Sequence, residues 1–96
     1  MKELLDNLNK AFENRTRLGI MSALLVNEYV DFNGLKDLLG VTDGNLASHL
    51  RYLEKEKYIG FKKEFLGRKP NTRYYATPAG ETAFVKHIEA IEKLLK

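Results

Sequence analysis

Thr42 to Tyr58 reads TDGNLASHLRYLEKEKY. Leu46, Leu50 and Leu53 recur at i, i+4 and i+7, so they lie along one face of a helix. The opposite face carries Asp43, Ala47, Ser48, Arg51, Tyr52 and Lys55. Thr42 suits the N-cap, because its hydroxyl oxygen accepts a backbone N–H from the open first turn. Just upstream, NGLKDLLG places Leu35, Leu38 and Leu39 at helical spacing and stops on Gly40, a natural C-terminal residue. Two helices joined through Gly40-Val41-Thr42 predict a helix-turn-helix over residues 34–57.

Downstream, IGFKKEF alternates, with Ile59, Phe61 and Phe65 interrupting polar residues at period two. GRKPN supplies turn residues, and TRYYAT resumes an extended segment. The expectation is a hairpin over residues 59–77 with Tyr74 and Ala76 on one face and Arg73, Tyr75 and Thr77 on the other. Thr77-Pro78 then starts a helix, a capping hydroxyl followed by proline at the first helical position. That helix runs over residues 78–95, with Phe84, Ile88, Ile91 and Leu95 in a heptad-like seam.

Upstream of the central pair, residues 1–12 predict an amphipathic helix with Leu4, Leu5, Leu8, Ala11 and Phe12 on one side. A second helix begins at Asn14 or Thr16 with the stripe Leu18, Met21, Leu24 and Leu25. Tyr29 to Phe32 reads as a short extended stretch, and Asn33 as the cap of the next helix.

Ninety-six residues make one domain, residues 1–96, mainly α with a small β-hairpin. A domain of this size buries a limited fraction of its surface, so spare apolar stripes seek partners. No apolar run reaches the roughly 20 residues of a membrane helix. MKELLDNLNK does not resemble a secretion signal. The absence of cysteine excludes a disulfide framework, a thiolate metal site and a cysteine nucleophile. A cytoplasmic location is the expectation. The net charge is only +3, yet Gly60 to Tyr75 holds Lys62, Lys63, Arg68, Lys69 and Arg73 against Glu64 alone. A basic hairpin on a near-neutral body is either an electrostatic footprint for phosphate or a lysine-protected sheet edge.

The stretches NRTRLGIMSALL, DFNGLKDLLGVTDGNLASHLRYLEKEKYI and KKEFLGRKPNTRYYATPAGETAF together resemble the small winged-helix transcriptional regulators of the MarR and ArsR type. The resemblance implies a winged helix-turn-helix that binds DNA, with the hairpin as its wing. Lys57 departs from the pattern, since many relatives carry glycine there. The Ser48-His49 pair occupies the place of a Ser-His or Ser-Arg pair, which implies DNA contact by one or both.

A major groove admits one helix, whose N-terminal half meets the base edges. The candidate readers are Thr42, Asp43, Asn45, Ser48, His49, Arg51 and Tyr52. Asn45 suits adenine, and Arg51 suits guanine or phosphate. Asp43 is repelled by phosphate but favours the helix dipole and can accept from cytosine. His49 adjoins Leu50, so packing competes with contact. The wing candidates are Lys62, Lys63 and Arg73 for phosphates and Arg68 and Lys69 for the minor groove or its backbone. Leu4, Leu5, Leu8, Phe84, Ile88, Ile91 and Leu95 form the candidate dimer seam, whose two-fold axis would match a pseudo-palindromic operator. His87 has Glu89 and Glu92 nearby but on other faces, which disfavours a metal site. No cofactor is implied, and no phosphate-binding loop or catalytic motif is present. The sequence thus predicts a dimeric, sequence-specific regulator of repressor type. Its rival is a winged helix used for protein contact, and a small-molecule effector between the terminal helices stays open.

Overall fold

The structure, a computed structural model, describes residues 1–96. Its elements run α1 (Lys2–Asp6), a 3-10 turn (Lys10–Phe12), α2 (Arg15–Val26), β1 (Val30–Asp31), α3 (Phe32–Leu39), α4 (Asp43–Lys55), β2 (Ile59–Leu66), β3 (Lys69–Ala76) and α5 (Pro78–Leu94). The sheet is antiparallel in the order β1-β3-β2. No helix is long and apolar enough to cross a membrane.

The core is drawn from every layer. Leu46, Leu50 and Leu53 of α4 are fully buried, as their spacing predicts. They meet Ile20, Met21 and Leu24 of α2, Leu35 of α3, Ile59 and Tyr74 of the sheet, and Phe84 of α5. The buried line on α2 includes Ile20, which the expected stripe lacked, while Leu18 and Leu25 are half-buried.

The predicted N-terminal helix over residues 1–12 breaks after Asp6. Asn9 caps the 3-10 turn by accepting from the Ala11 N–H, and this rotation turns Ala11 and Phe12 into the core. Phe12 packs edge-on against Phe84, with ring centroids 5.1 Å apart. Phe84 is therefore a core residue of its own protomer and leaves the dimer seam assigned to it. Ile88 is half-buried against the same core. His87 is buried too, its Nδ1 accepting from the Asn9 N–H at 2.9 Å.

The cap of α3 is Asp31, which accepts from the Gly34 N–H at 2.7 Å, in place of the expected Asn33. Carboxylates and amides cap comparably, and here β1 pairing with β3 fixes which residue sits at the helix entrance. Thr42 and Thr77 cap α4 and α5 as predicted, and Gly40 closes α3 in the left-handed region at φ 63°.

Candidate nucleic-acid interface

α4 is held on its apolar side and presents Asp43, Asn45, Ser48, Arg51 and Lys55 to solvent. Thr42, also exposed, spends its hydroxyl oxygen on the Asn45 N–H at 3.2 Å. Lys36 of α3 lies across the turn, with Nζ 2.8 Å from Asp43 Oδ1. An exposed pair of this kind adds little stability. Its effect is on local charge, since the lysine offsets the carboxylate that would repel phosphate. The Asp43 charge and hydrogen bond raise the Lys36 pKa above its ordinary value.

The side chain of Asn45 is tethered. Thr16 Oγ1 of α2 donates to Asn45 Oδ1 at 3.2 Å. The amide oxygen keeps a second lone pair and Nδ2 has no partner, so the tether fixes the orientation of the amide and leaves both groups able to meet adenine. Ser48 and Arg51 carry no side-chain hydrogen bond. With Tyr52, Glu54 and Lys55 they line an open concavity of about 530 Å³.

His49 and Tyr52 are half-buried, and for His49 this is the packing that the sequence left open beside DNA contact. Both pack around Arg17 of α2. The Arg17 guanidinium stacks on the Tyr52 ring at 3.9 Å, and Nη1 lies 3.1 Å from His49 Nδ1. Its Nε donates to the Ala11 carbonyl at 2.7 Å. Arginine can only donate, so His49 Nδ1 accepts and the ring proton sits on Nε2. Burial and the Arg17 charge push the His49 pKa below its usual value. His49 is thus a neutral, half-buried member of a clamp that ties α2 and the N-terminal segment to α4. Of its ring nitrogens only Nε2 is left to donate outward.

The wing is a regular two-stranded ribbon. Leu66 faces Lys69, so the turn is the two-residue Gly67-Arg68, tighter than the predicted GRKPN. Gly67 has φ 66° and Arg68 does not share the positive angle, the glycine-first pattern of a hairpin turn. Lys62, Lys63, Arg68 and Lys69 are exposed. Arg73 is not available as they are. Its Nε lies 2.9 Å from Glu64 Oε2, and its guanidinium covers the Tyr29 ring at 4.3 Å. Arg73, expected at phosphate, here braces Glu64 of β2 and Tyr29, the residue before β1, to β3. That brace also relieves the like charge of Lys62, which lies directly opposite on β2.

The order α2-β1-α3-α4-β2-β3 sets a helix-turn-helix against a basic hairpin, and the family model for the winged helix DNA-binding domain matches residues 16–95. The chain belongs to that family. An uncharacterized protein of Methanocaldococcus jannaschii is 37% identical over 87 residues, 91% of this chain and 95% of its own. The structure aligns with the transcriptional regulator homologue of Pyrococcus horikoshii OT3 at TM-score 0.88 and 28% identity, over 99% and 95% of the two chains. HlyU from Vibrio cholerae N16961 shares the fold at TM-score 0.69 and 22% identity, over 97% of this chain and 92% of that one. A MarR-family transcriptional regulator from Silicibacter pomeroyi shares it at 0.68 and 18%, over 97% and 64%.

Within this winged helix, α4 stands at the recognition-helix position and β2–β3 form the wing. Sequence reasoning missed Thr16, Arg17 and Lys36, the residues that orient α4. One signal was available. Arg15 and Arg17 both fall in the first turn of α2, where the helix dipole disfavours cations. Such a placement asks for a compensating partner, and for Arg17 that partner is α4 together with the Ala11 carbonyl.

Proposed function

We propose that this winged helix is a homodimeric, sequence-specific DNA-binding regulator, acting as a cytoplasmic repressor by occupying a pseudo-palindromic operator. α4 lies in the major groove, where Asn45, Ser48 and Arg51 meet base edges, and Thr42 and Lys36 approach the backbone. His49 and Tyr52 hold the helix at its angle. Lys62, Lys63, Arg68 and Lys69 lie along the flanking backbone and minor groove.

The observation that carries this reading is the division of α4. Three leucines are wholly buried, while Asn45, Ser48 and Arg51 stand exposed beside a wing whose carboxylate is already paired. A winged helix adapted to protein contact would present an apolar or acidic face there, and this one is polar to basic.

The dimer is supported by the terminal elements. Leu5, Ile91 and Leu95 are exposed at 49%, 37% and 83%, with Leu4 and Leu8 half-buried beside them. Without Phe84 the seam narrows to these residues and Ile88.

The test is the salt dependence of duplex binding. If about three wing cations per subunit engage, about six phosphates are neutralised per dimer, and log K falls against log salt with a slope near −5. Arg68→Ala combined with Lys69→Ala flattens the slope by roughly 3–4 units. An unchanged slope in the double variant would remove the wing from the DNA interface.

A further inference from the structure

The outer part of the wing carries two large apolar side chains that cover nothing in the protomer. Phe65 is 73% exposed and Leu66 60% exposed. Phe65 faces Pro70 across the ribbon, and Leu66 faces Lys69. β1 pairs only with Arg73 and Tyr74. Four rungs, from Lys63↔Thr72 to Leu66↔Lys69, therefore project beyond the third strand, a reach of roughly 13 Å at the rise of a strand. Soluble proteins protect such ribbon ends with charge and avoid exposed aromatic residues there. This wing has both, with Lys63 on the Phe65 face, Lys69 on the Leu66 face and Arg68 in the turn between the strands. Its carboxylate, Glu64, is occupied by Arg73 at 2.9 Å and by Asn71 Nδ2 at 3.2 Å.

We propose that the wing is an apolar-tipped arm that inserts Phe65, backed by its cross-strand partner Pro70, between base steps of the minor groove, with Leu66 on the other face of the tip, so that the protein bends the DNA it occupies. The proposal rests on the DNA-binding reading above and adds an activity to it. An apolar side chain is useful at a DNA surface when it unstacks a step, and minor-groove binders that insert phenylalanine, leucine or proline wedges kink duplexes by roughly 20–90°. The charge distribution selects a polyanion as occupant, because the segment from Gly60 to Tyr75 has five cations and one anion. Lysine and arginine beside the tip suit the negative potential of a narrow minor groove. The glycine-first turn places Arg68 between the strand ends, one residue from Lys69 and two from Leu66.

The experiment is resonance energy transfer between dyes at the two ends of a mixed-sequence duplex of about 30 base pairs, a length over which a protein-induced bend is measurable. Saturation with the full chain is expected to shorten the end-to-end distance. Phe65→Ser combined with Leu66→Ser should abolish at least half of that change, keep the salt slope, and weaken binding by less than about tenfold. Both positions are exposed, so thermal unfolding of the variant should match wild type. Saturated wild-type binding without shortening, or equal shortening by the variant, overturns the proposal and leaves the DNA-binding reading intact. Failure of wild type to bind any duplex at low salt overturns both. Conversion of a wild-type dimer to monomer by the double substitution would make the tip a subunit contact. Loss of sedimentation with phosphatidylglycerol vesicles at unaltered DNA bending would make it a membrane contact. Either result overturns the proposal.

Discussion

On the DNA-binding reading, Thr16 acts on base choice through Asn45. Its hydroxyl donates to Asn45 Oδ1, which orients the amide while the second lone pair and Nδ2 stay available. Thr16→Val keeps the side-chain shape and removes the bond. Selection from random duplexes is then expected to show a weaker adenine preference at the base assigned to Asn45, by about 1 kcal/mol, the lower end of what a bidentate pair contributes. An identical base profile would mean that the tether breaks on binding. The leucine spacing made the exposure of Asp43, Ser48, Arg51 and Lys55 legible, whereas Ala47 and Tyr52, read on the same face, are half-buried. What the α4 side chains bind locally was not legible, because Thr16 and Arg17 stand 29 and 32 positions from Asn45 and His49. Spacing within one helix carries no information about such pairings. Arg73 shows the same limit from the other side, since charge counting includes it and only the fold reveals its engagement with Glu64 and Tyr29.

At the level of elements, caps were the most legible feature and breaks the least. Thr42, Thr77-Pro78 and Gly40 act locally, through their own side chains or backbone freedom, and each ends or starts its helix where the sequence places it. The break after Asp6 has no comparable marker, because Leu4, Leu5, Leu8, Ala11 and Phe12 fit a helical stripe. Tertiary packing of Phe12 against Phe84 and Tyr58 overrides it. The end of α4 is instructive. Tyr58 N–H donates to the Leu53 carbonyl and Lys57 N–H to the Glu54 carbonyl, a complete Schellman motif. Its left-handed residue is Lys57 at φ 63°, where glycine is free of the Cβ penalty. The motif holds the α4–β2 junction in place for α5, as Thr77 Oγ1 donates to the Lys57 carbonyl at 2.7 Å. Lys57→Gly is expected to raise unfolding free energy by up to about 1 kcal/mol, read by urea titration. A destabilised variant would show that the lysine stem contributes packing worth more than the backbone penalty.

The whole molecule is elongated, with principal extents of 53 × 25 × 22 Å, and exposed apolar residues stand on the terminal elements and the wing tip as well as at Val26 and Leu38. The terminal surplus is assigned to a two-fold partner and the tip to DNA. In light scattering at tens of micromolar the wild-type chain is expected at twice its own mass, and Ile91→Lys should shift it toward the monomer by burying an unpaired charge. A monomeric wild type would contradict the dimer. The overall architecture was legible because period-two and period-3.6 patterns follow one another without overlap and each is bounded by a cap or a turn. A stripe that covers its own core and one left at the surface look alike in sequence. Phe84 belongs to the first kind, Leu95 to the second. The central claim is that α4 reads DNA sequence. The direct measurement is the ratio of affinities for a selected operator and a random duplex at one salt concentration, for wild type and for Asn45→Ala, Ser48→Ala and Arg51→Ala. Each substitution that removes a base contact is expected to lower the ratio by about 1–3 kcal/mol. Wild-type ratios in all three variants would show that α4 is not the reader.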